Sequence, residues 1–130
     1  MTIDASALLA VCMNEPSKPR LVSMTIGANL IAPPSVHWEI GNALSAMLKR
    51  QRIQPEQAQA CISAYQGIPI RWQEVSLDKA LVLAGRLNMY AYDAYLLACA
   101  EATRSPLLTL DAALNRAARE MGILTPGDDT

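Results

Sequence analysis

The fold is decided by the stretch Met1-Thr2-Ile3-Asp4-Ala5-Ser6-Ala7-Leu8-Leu9. A short apolar run ends at Asp4, and an apolar helix is predicted to follow at once, over Ser6–Met13. The same order recurs at Leu107-Leu108-Thr109-Leu110-Asp111, before a predicted helix over Ala112–Met121. Strands that lead directly into helices in this way are typical of an α/β fold with a parallel sheet.

Turn residues and changes of hydrophobic period divide the whole chain into short apolar runs that alternate with longer helical stretches. This pattern predicts one α/β domain over residues 1–125, with a central parallel sheet of four to five strands covered by helices on both faces, and a disordered tail over 126–130. Strands are expected at Met1–Asp4, Asn29–Ala32, Ile68–Trp72, Leu107–Leu110 and, as a fifth, Ile123–Thr125. The remaining helices are expected at Ser17–Thr25, at Ser35–Arg50 with Ser35 as N-cap, from Pro55 through Tyr65, at Leu77–Asn88 with Ser76 as N-cap, and at Ala91–Thr103.

The composition limits the classes of protein and of site. With 130 residues, 52% of them hydrophobic, the chain can fill one core. Its apolar runs are far shorter than the ~20 residues that cross a bilayer, so we expect a cytoplasmic protein without a membrane partner. The three cysteines, Cys12, Cys61 and Cys99, lack metal-site spacing, and we expect them to be reduced, buried and free of zinc. A net charge of −1 supplies no overall attraction to nucleic acid, so any RNA contact must be local.

Four acidic residues occupy positions that a merely solvated acid would not. Asp4 and Asp111 follow strands at the carboxyl edge of the sheet, where ligands bind in open α/β folds, although either can also be simply a helix N-cap. Glu39 and Asp93 lie on largely apolar helix faces, where an unpaired carboxylate is costly. For these two, a local ion pair or a cap is the alternative explanation. Convergence of all four at one sheet edge would concentrate negative charge that bound cations make tolerable.

The segments around these acids occur in a definite order. They are Ile3-Asp4-Ala5-Ser6-Ala7-Leu8-Leu9, Glu39-Ile40-Gly41-Asn42-Ala43-Leu44, Tyr92-Asp93-Ala94-Tyr95 and Leu108-Thr109-Leu110-Asp111. In this order and at these separations they resemble PIN-domain proteins, and more narrowly the VapC-type toxins of toxin–antitoxin pairs. The resemblance extends from Ile3 to Ile123. One departure is the first strand, because only Met1-Thr2-Ile3 precede the aspartate, fewer apolar residues than the family usually has.

The resemblance implies a three-layer α/β/α sandwich and a metal-dependent endoribonuclease. The positions that match the family's catalytic, metal-binding acids are Asp4, Glu39, Asp93 and Asp111. The matching supporting polar positions are Ser6, Asn42 and Thr109. The resemblance also implies an RNA substrate such as tRNA or rRNA, a homodimer, and a cognate antitoxin whose C-terminal segment covers the acidic pocket. A housekeeping PIN ribonuclease without an antitoxin and a non-catalytic PIN-like binding module are the alternatives.

An all-carboxylate pocket favours Mg²⁺ or Mn²⁺ over zinc, because these hard ions prefer oxygen ligands. We expect one ion held mainly by Asp4 and Asp93 to activate water for in-line attack on a phosphodiester. A second, near Glu39 and Asp111, would stabilise the leaving oxygen and leave 5′-phosphate and 3′-hydroxyl products. The single histidine, His37, is expected at a loop or helix start rather than in catalysis. Candidate RNA-binding cations are Lys49, Arg50, Arg52, Arg116 and Arg119. Cations near helix C-termini also simply complement the helix dipole.

Overall fold

The computed structural model describes residues 1–128. Within that range the chain forms four short strands and seven helices. The strands are β1 Thr2–Ile3, β2 Ile31–Ala32, β3 Arg71–Trp72 and β4 Leu107–Leu108. The helices are α1 Ala5–Cys12, α2 Lys18–Thr25, α3 Ser35–Lys49, α4 Pro55–Gln66, α5 Leu77–Leu87, α6 Ala91–Thr103 and α7 Ala112–Glu120.

The four strands form one parallel sheet in the order β3-β2-β1-β4. In the central strand β1, Thr2 pairs with Ile31 on one side and with Leu107 on the other. The predicted α/β class with a central parallel sheet flanked by helices is therefore confirmed. Each strand pairs over only two residues, so all four are shorter than the apolar runs that predicted them.

The fifth strand expected at Ile123–Thr125 does not form in the described part of the chain. The segment does lie beside β4, because the backbone N–H of Leu107 donates to the carbonyl of Leu124 at 2.9 Å. A turn follows directly, closed by the N–H of Asp128 and the carbonyl of Thr125 at 3.0 Å. This contact is too short to form a strand, so the sheet of the described residues has four strands.

The N-cap prediction for Ser35 is wrong by one residue. Pro34 is the cap of α3, and its φ of −57° and ψ of −24° are already helical, so the helix begins at Ser35 itself. The hydroxyl of Ser35 is buried and has no hydrogen-bond partner among residues 1–128. The other predicted cap, Ser76, is confirmed, since its hydroxyl accepts a hydrogen bond from the N–H of Lys79 at 3.3 Å.

The helices pack in two groups on the sheet. In one group α1 contacts α2, α3 and α4, and in the other α5 contacts α6, which also lies against β1 and β4. Both α1 and α6 are largely apolar around their circumference, as expected of helices buried between other elements. The three cysteines are free and buried in the core, as predicted. No helix between residues 1 and 128 has the length and apolar character needed to span a membrane.

The disordered tail predicted over 126–130 falls partly on Asp129 and Thr130, which lie outside the described residues. The part that is described packs against the domain. Gly127 is buried, and its carbonyl accepts a hydrogen bond of 2.8 Å from the Arg20 guanidinium. Asp128 forms an ion pair with Arg119.

Candidate active site

Asp4 is the most buried of the four predicted acids, with 6% of its surface exposed. It follows β1 and caps α1, because its Oδ1 accepts a hydrogen bond from the N–H of Ala7 at 3.0 Å. The same oxygen accepts from the Ser6 hydroxyl at 2.7 Å, and Oδ2 accepts from the Thr109 hydroxyl. Asp4 is therefore both a cap and a carboxylate with hydrogen bonds to both of its oxygens, at the carboxyl edge of β1.

Ser6 and Thr109 join the turn after β1 to the turn after β4. The Ser6 hydroxyl accepts a hydrogen bond from the N–H of Leu110 at 3.0 Å, and the Thr109 hydroxyl accepts from the N–H of Asp111 at 3.0 Å. Since both hydroxyls donate to Asp4, they fix the rotamers of all three side chains. The turn that positions Asp4 and the turn that positions Asp111 are thus one hydrogen-bonded unit.

Asp111 is exposed and caps α7, accepting a hydrogen bond from the N–H of Leu114 at 3.0 Å. Asp93 is half-buried in the first turn of α6, whose N-cap is Tyr90, so the alternative of Asp93 as the cap is not what the helix shows. Glu39 is half-buried on α3, and its Oε1 is buried without a hydrogen-bond partner among the described residues. The ion pair considered for Glu39 is likewise absent from residues 1–128.

The four carboxyl groups act on one another. Burial, and then the charges of Asp4 and Asp93, raise the pKa of Glu39 from its ordinary value to about 7. Burial also raises the pKa of Asp4, against the opposing effect of its three hydrogen-bond donors, and the charge of Asp111 raises it further. Burial and the charge of Asp111 raise the pKa of Asp93 as well. Asp4 and Asp93 thus act on Glu39, and Asp111 acts on both Asp4 and Asp93.

The chemistry of these four acids suits a divalent cation, although their carboxylates do not form a tight cluster in the described part of the chain. No three His, Cys, Asp or Glu side chains within residues 1–128 lie close enough together to make a ready metal site. The donors are nevertheless all carboxylate oxygens, as Mg²⁺ and Mn²⁺ prefer. One of them, Oε1 of Glu39, is buried and unpartnered in this part of the chain, and the mutual repulsion would be relieved by positive charge.

The PIN-domain family model matches residues 1–120 of this chain. The chain belongs to the PIN-domain family. This PIN domain is 28% identical over 116 residues to the VapC ribonuclease Mb0985 of Mycobacterium bovis, with 88% of each chain covered. Ribonuclease VapC9 from two strains of Mycobacterium tuberculosis is similar to the same extent. The family resemblance inferred from the four segments is thus confirmed.

Among solved structures, this PIN domain matches PAE2754 from Pyrobaculum aerophilum with a TM-score of 0.73. The match covers 96% of this chain and 82% of that one, at 23% sequence identity. At this identity the likeness shows the fold alone, and it agrees with the α/β architecture.

The remaining predicted residues are Asn42 on α3 and the five candidate RNA-binding cations. Asn42 is exposed on α3, and its side chain makes no hydrogen bond to residues 1–128. Lys49, at the last position of α3, lies ten residues after Glu39, about 15 Å along the helix axis. Arg50 and Arg52 follow it. Lys49 is therefore remote from Glu39, and Arg50 and Arg52 lie beyond the same end of the helix.

Arg116 lies much nearer to the acids. With Asp93 it lines an open hollow of about 380 Å³ between the end of α5 and α7. Arg86 and Asn88 line the same hollow. Arg86 was not predicted, because only the packing of α5 on α6 brings the end of α5 beside Asp93.

Asn115 is a second residue that the sequence analysis missed. It is 5% exposed, one turn after Asp111 on α7, and its amide donates to the carbonyl of Thr109 at 3.2 Å. Its Oδ1 is buried without a hydrogen-bond partner among the described residues. A polar residue beside Leu114 in the buried stripe of α7 was the available signal. Asn115 supports the same turn that carries Thr109 and Asp111.

Proposed function

We propose that this PIN domain, residues 1–125, is a divalent-metal-dependent endoribonuclease that hydrolyses RNA phosphodiester bonds. The observation that carries the proposal is the buried, unpartnered Oε1 of Glu39, a residue whose pKa is raised by burial and by the charges of Asp4 and Asp93. Asp111, which caps α7, in turn raises the pKa of Asp4 and of Asp93. Carboxyl groups that raise one another's pKa are typical of functional sites. The VapC ribonucleases that the chain resembles support the same activity.

The four acids are the residues that would hold Mg²⁺ or Mn²⁺. When bound, such an ion supplies the positive charge that activates an attacking water and stabilises the leaving oxygen of the phosphodiester. Asp4 is held ready for this role by Ser6 and Thr109, which donate to its two oxygens. Glu39 contributes an oxygen that no described residue occupies.

The RNA phosphates need their own binding groups, because the carboxylates repel them and the net charge of −1 does not attract them. Arg86 and Arg116 line the hollow beside Asp93 and can donate to phosphate oxygens next to the scissile bond. Of the five cations predicted from sequence, Arg116 is therefore the one we retain as a phosphate contact, and Arg86 joins it.

We further propose that the protein is the toxin of a toxin–antitoxin pair, acting in the cytoplasm on tRNA or rRNA and thereby inhibiting translation. The names of its VapC relatives support this role. A cognate antitoxin would cover the carboxylates with a segment that presents a cation, because positive charge offsets the repulsion among the four acids. A homodimer belongs to the same proposal.

The test is cleavage of total tRNA and rRNA by purified protein, with Mg²⁺ or Mn²⁺ and with EDTA. We expect discrete cuts with 5′-phosphate ends that disappear in EDTA and in the variants Asp4→Asn and Asp93→Asn. Asp78→Asn is the matched control, because Asp78 is an exposed acid in the first turn of α5. Absence of metal-dependent cutting by antitoxin-free protein would favour a binding module instead.

A further inference from the structure

An aromatic pocket of about 220 Å³ opens beside the first turns of α3. It is lined by His37, Tyr65, Gln66, Ile68, Ile70 and Trp72. None of these six residues carries a carboxylate.

His37 is at the centre of a group of aromatic rings. Its ring lies edge-on to Trp38 at 4.8 Å and to Trp72 at 5.9 Å between centroids, and tilted to Tyr65 at 5.8 Å. The buried Tyr65 holds His37 in place, because its hydroxyl and Nδ1 of His37 are hydrogen-bonded at 2.9 Å. The rings are therefore positioned before any ligand arrives.

Both tryptophans at this site expose a large part of their surface. Trp38 is 67% exposed and Trp72 is 43% exposed. Large aromatic rings grouped at the surface mark binding sites, because they leave apolar area in water. Nε2 of His37 has no hydrogen-bond partner among the described residues, so a polar group is also available in the pocket.

The aromatic pocket and the acids share one edge of the sheet. Trp72 ends β3 and Asp4 follows β1, with only β2 between these strands. Two strand spacings place the ends of β3 and β1 about 10 Å apart. On α3, positions 37 and 39 lie on opposite sides of the first turns, about the 10–12 Å width of a helix apart. The pocket therefore lies within about 10–12 Å of Asp4 and of Glu39.

We propose that the aromatic pocket binds one base of the single-stranded RNA substrate, close to the phosphodiester that the acids cleave. This inference rests on the proposed nuclease function. The base stacks on Trp72 or Trp38, and its edge pairs with Nε2 of His37 and the amide of Gln66. The pocket thereby contributes to which nucleotide lies next to the cut.

The chain's two tryptophans report on this pocket directly, since both belong to its ring group. We would titrate single-stranded oligo(A), oligo(U) and oligo(C) octamers into the Asp93→Asn protein in EDTA, so that the RNA is not cut. Quenching of tryptophan fluorescence is expected, and Trp72→Phe and Trp38→Phe assign it to one ring. An octamer with abasic residues, which retains the phosphates, should quench little.

Trp72→Ala is expected to weaken RNA binding by about 5- to 150-fold, the range measured for loss of one base stack. Ile26→Ala, at another exposed apolar side chain, is the control and should bind as the parent does. Binding detected by anisotropy with unchanged fluorescence, and with unchanged affinity in Trp72→Ala, would overturn the inference. That result leaves the nuclease proposal standing, because metal-dependent cleavage by the unmodified protein tests it separately.

Discussion

Glu39 is a residue whose protonation depends on the charges of its neighbours. Its pKa is raised by burial first, and then by the charges of Asp4 and Asp93. A carboxyl whose folded pKa exceeds its unfolded value stabilises the fold while protonated, and this contribution is lost as the pH rises. For Glu39 the window runs from its ordinary value of 4.5 to about 7.

We therefore expect the metal-free protein, held in EDTA, to lose roughly 1 kcal/mol of unfolding free energy between pH 5 and pH 7.5, a value reduced for solvent screening. Glu39→Gln should flatten this dependence, because glutamine does not titrate. Thermal unfolding across the pH range measures both proteins. A parent whose stability rises with pH over this window would contradict the assignment.

Thr109 is expected to be the most sensitive of the supporting residues. Its hydroxyl donates to Asp4 and accepts from the N–H of Asp111, so Thr109→Val leaves a buried carboxylate oxygen and a part-buried N–H unpaired. A loss of about 1–3 kcal/mol in the free energy of unfolding is expected by urea denaturation, together with reduced cleavage. Thr25→Val is the control, because the Thr25 hydroxyl bonds only a carbonyl within α2, and it should cost less.

At the scale of the element, Asp111 combines two roles that can be separated. Asparagine caps a helix about as well as aspartate does, but carries no charge. Asp111→Asn should therefore keep the stability of α7 within about 0.5 kcal/mol and still abolish metal-dependent cleavage, whereas Asp111→Ala should also cost about 1 kcal/mol. Equal cleavage by Asp111→Asn and the parent would reduce Asp111 to a cap. Ser76→Ala, which removes the cap of α5, controls for the loss of a cap alone.

The ends of α5 and α7 bring Arg86 and Arg116 to one hollow, and their role can be read from salt dependence. Each phosphate contact to single-stranded RNA contributes a slope of about −0.7 to the logarithm of the binding constant against that of the salt concentration. Arg86→Gln and Arg116→Gln should each reduce the slope by about that amount, and Arg52→Gln should leave it unchanged. Filter binding to uncut RNA across a salt series would show it.

In the whole molecule, a bound metal ion should stabilise the folded state by joining the parts of the chain that carry the four acids. An ion that binds the folded state alone stabilises it by about 2.7 kcal/mol at 100 times its dissociation constant. Mg²⁺ or Mn²⁺ should therefore raise the Tm of the parent protein, and should do so much less in Asp4→Asn or Asp93→Asn. An equal rise in Asp78→Asn and in Asp4→Asn would mean that the ion binds elsewhere.

The turns from strand to aspartate, the helices and the family can all be predicted from the amino-acid sequence. Asp4 and Asp111 were readable because strand ends and N-caps are set by neighbours along the chain. Three groupings appear only in the tertiary structure. Arg86 lies beside Asp93, and Asn115 supports Thr109. His37, Tyr65 and Trp72 line one pocket. These groupings join distant elements, and their packing depends on the whole core, which no local pattern of residues records.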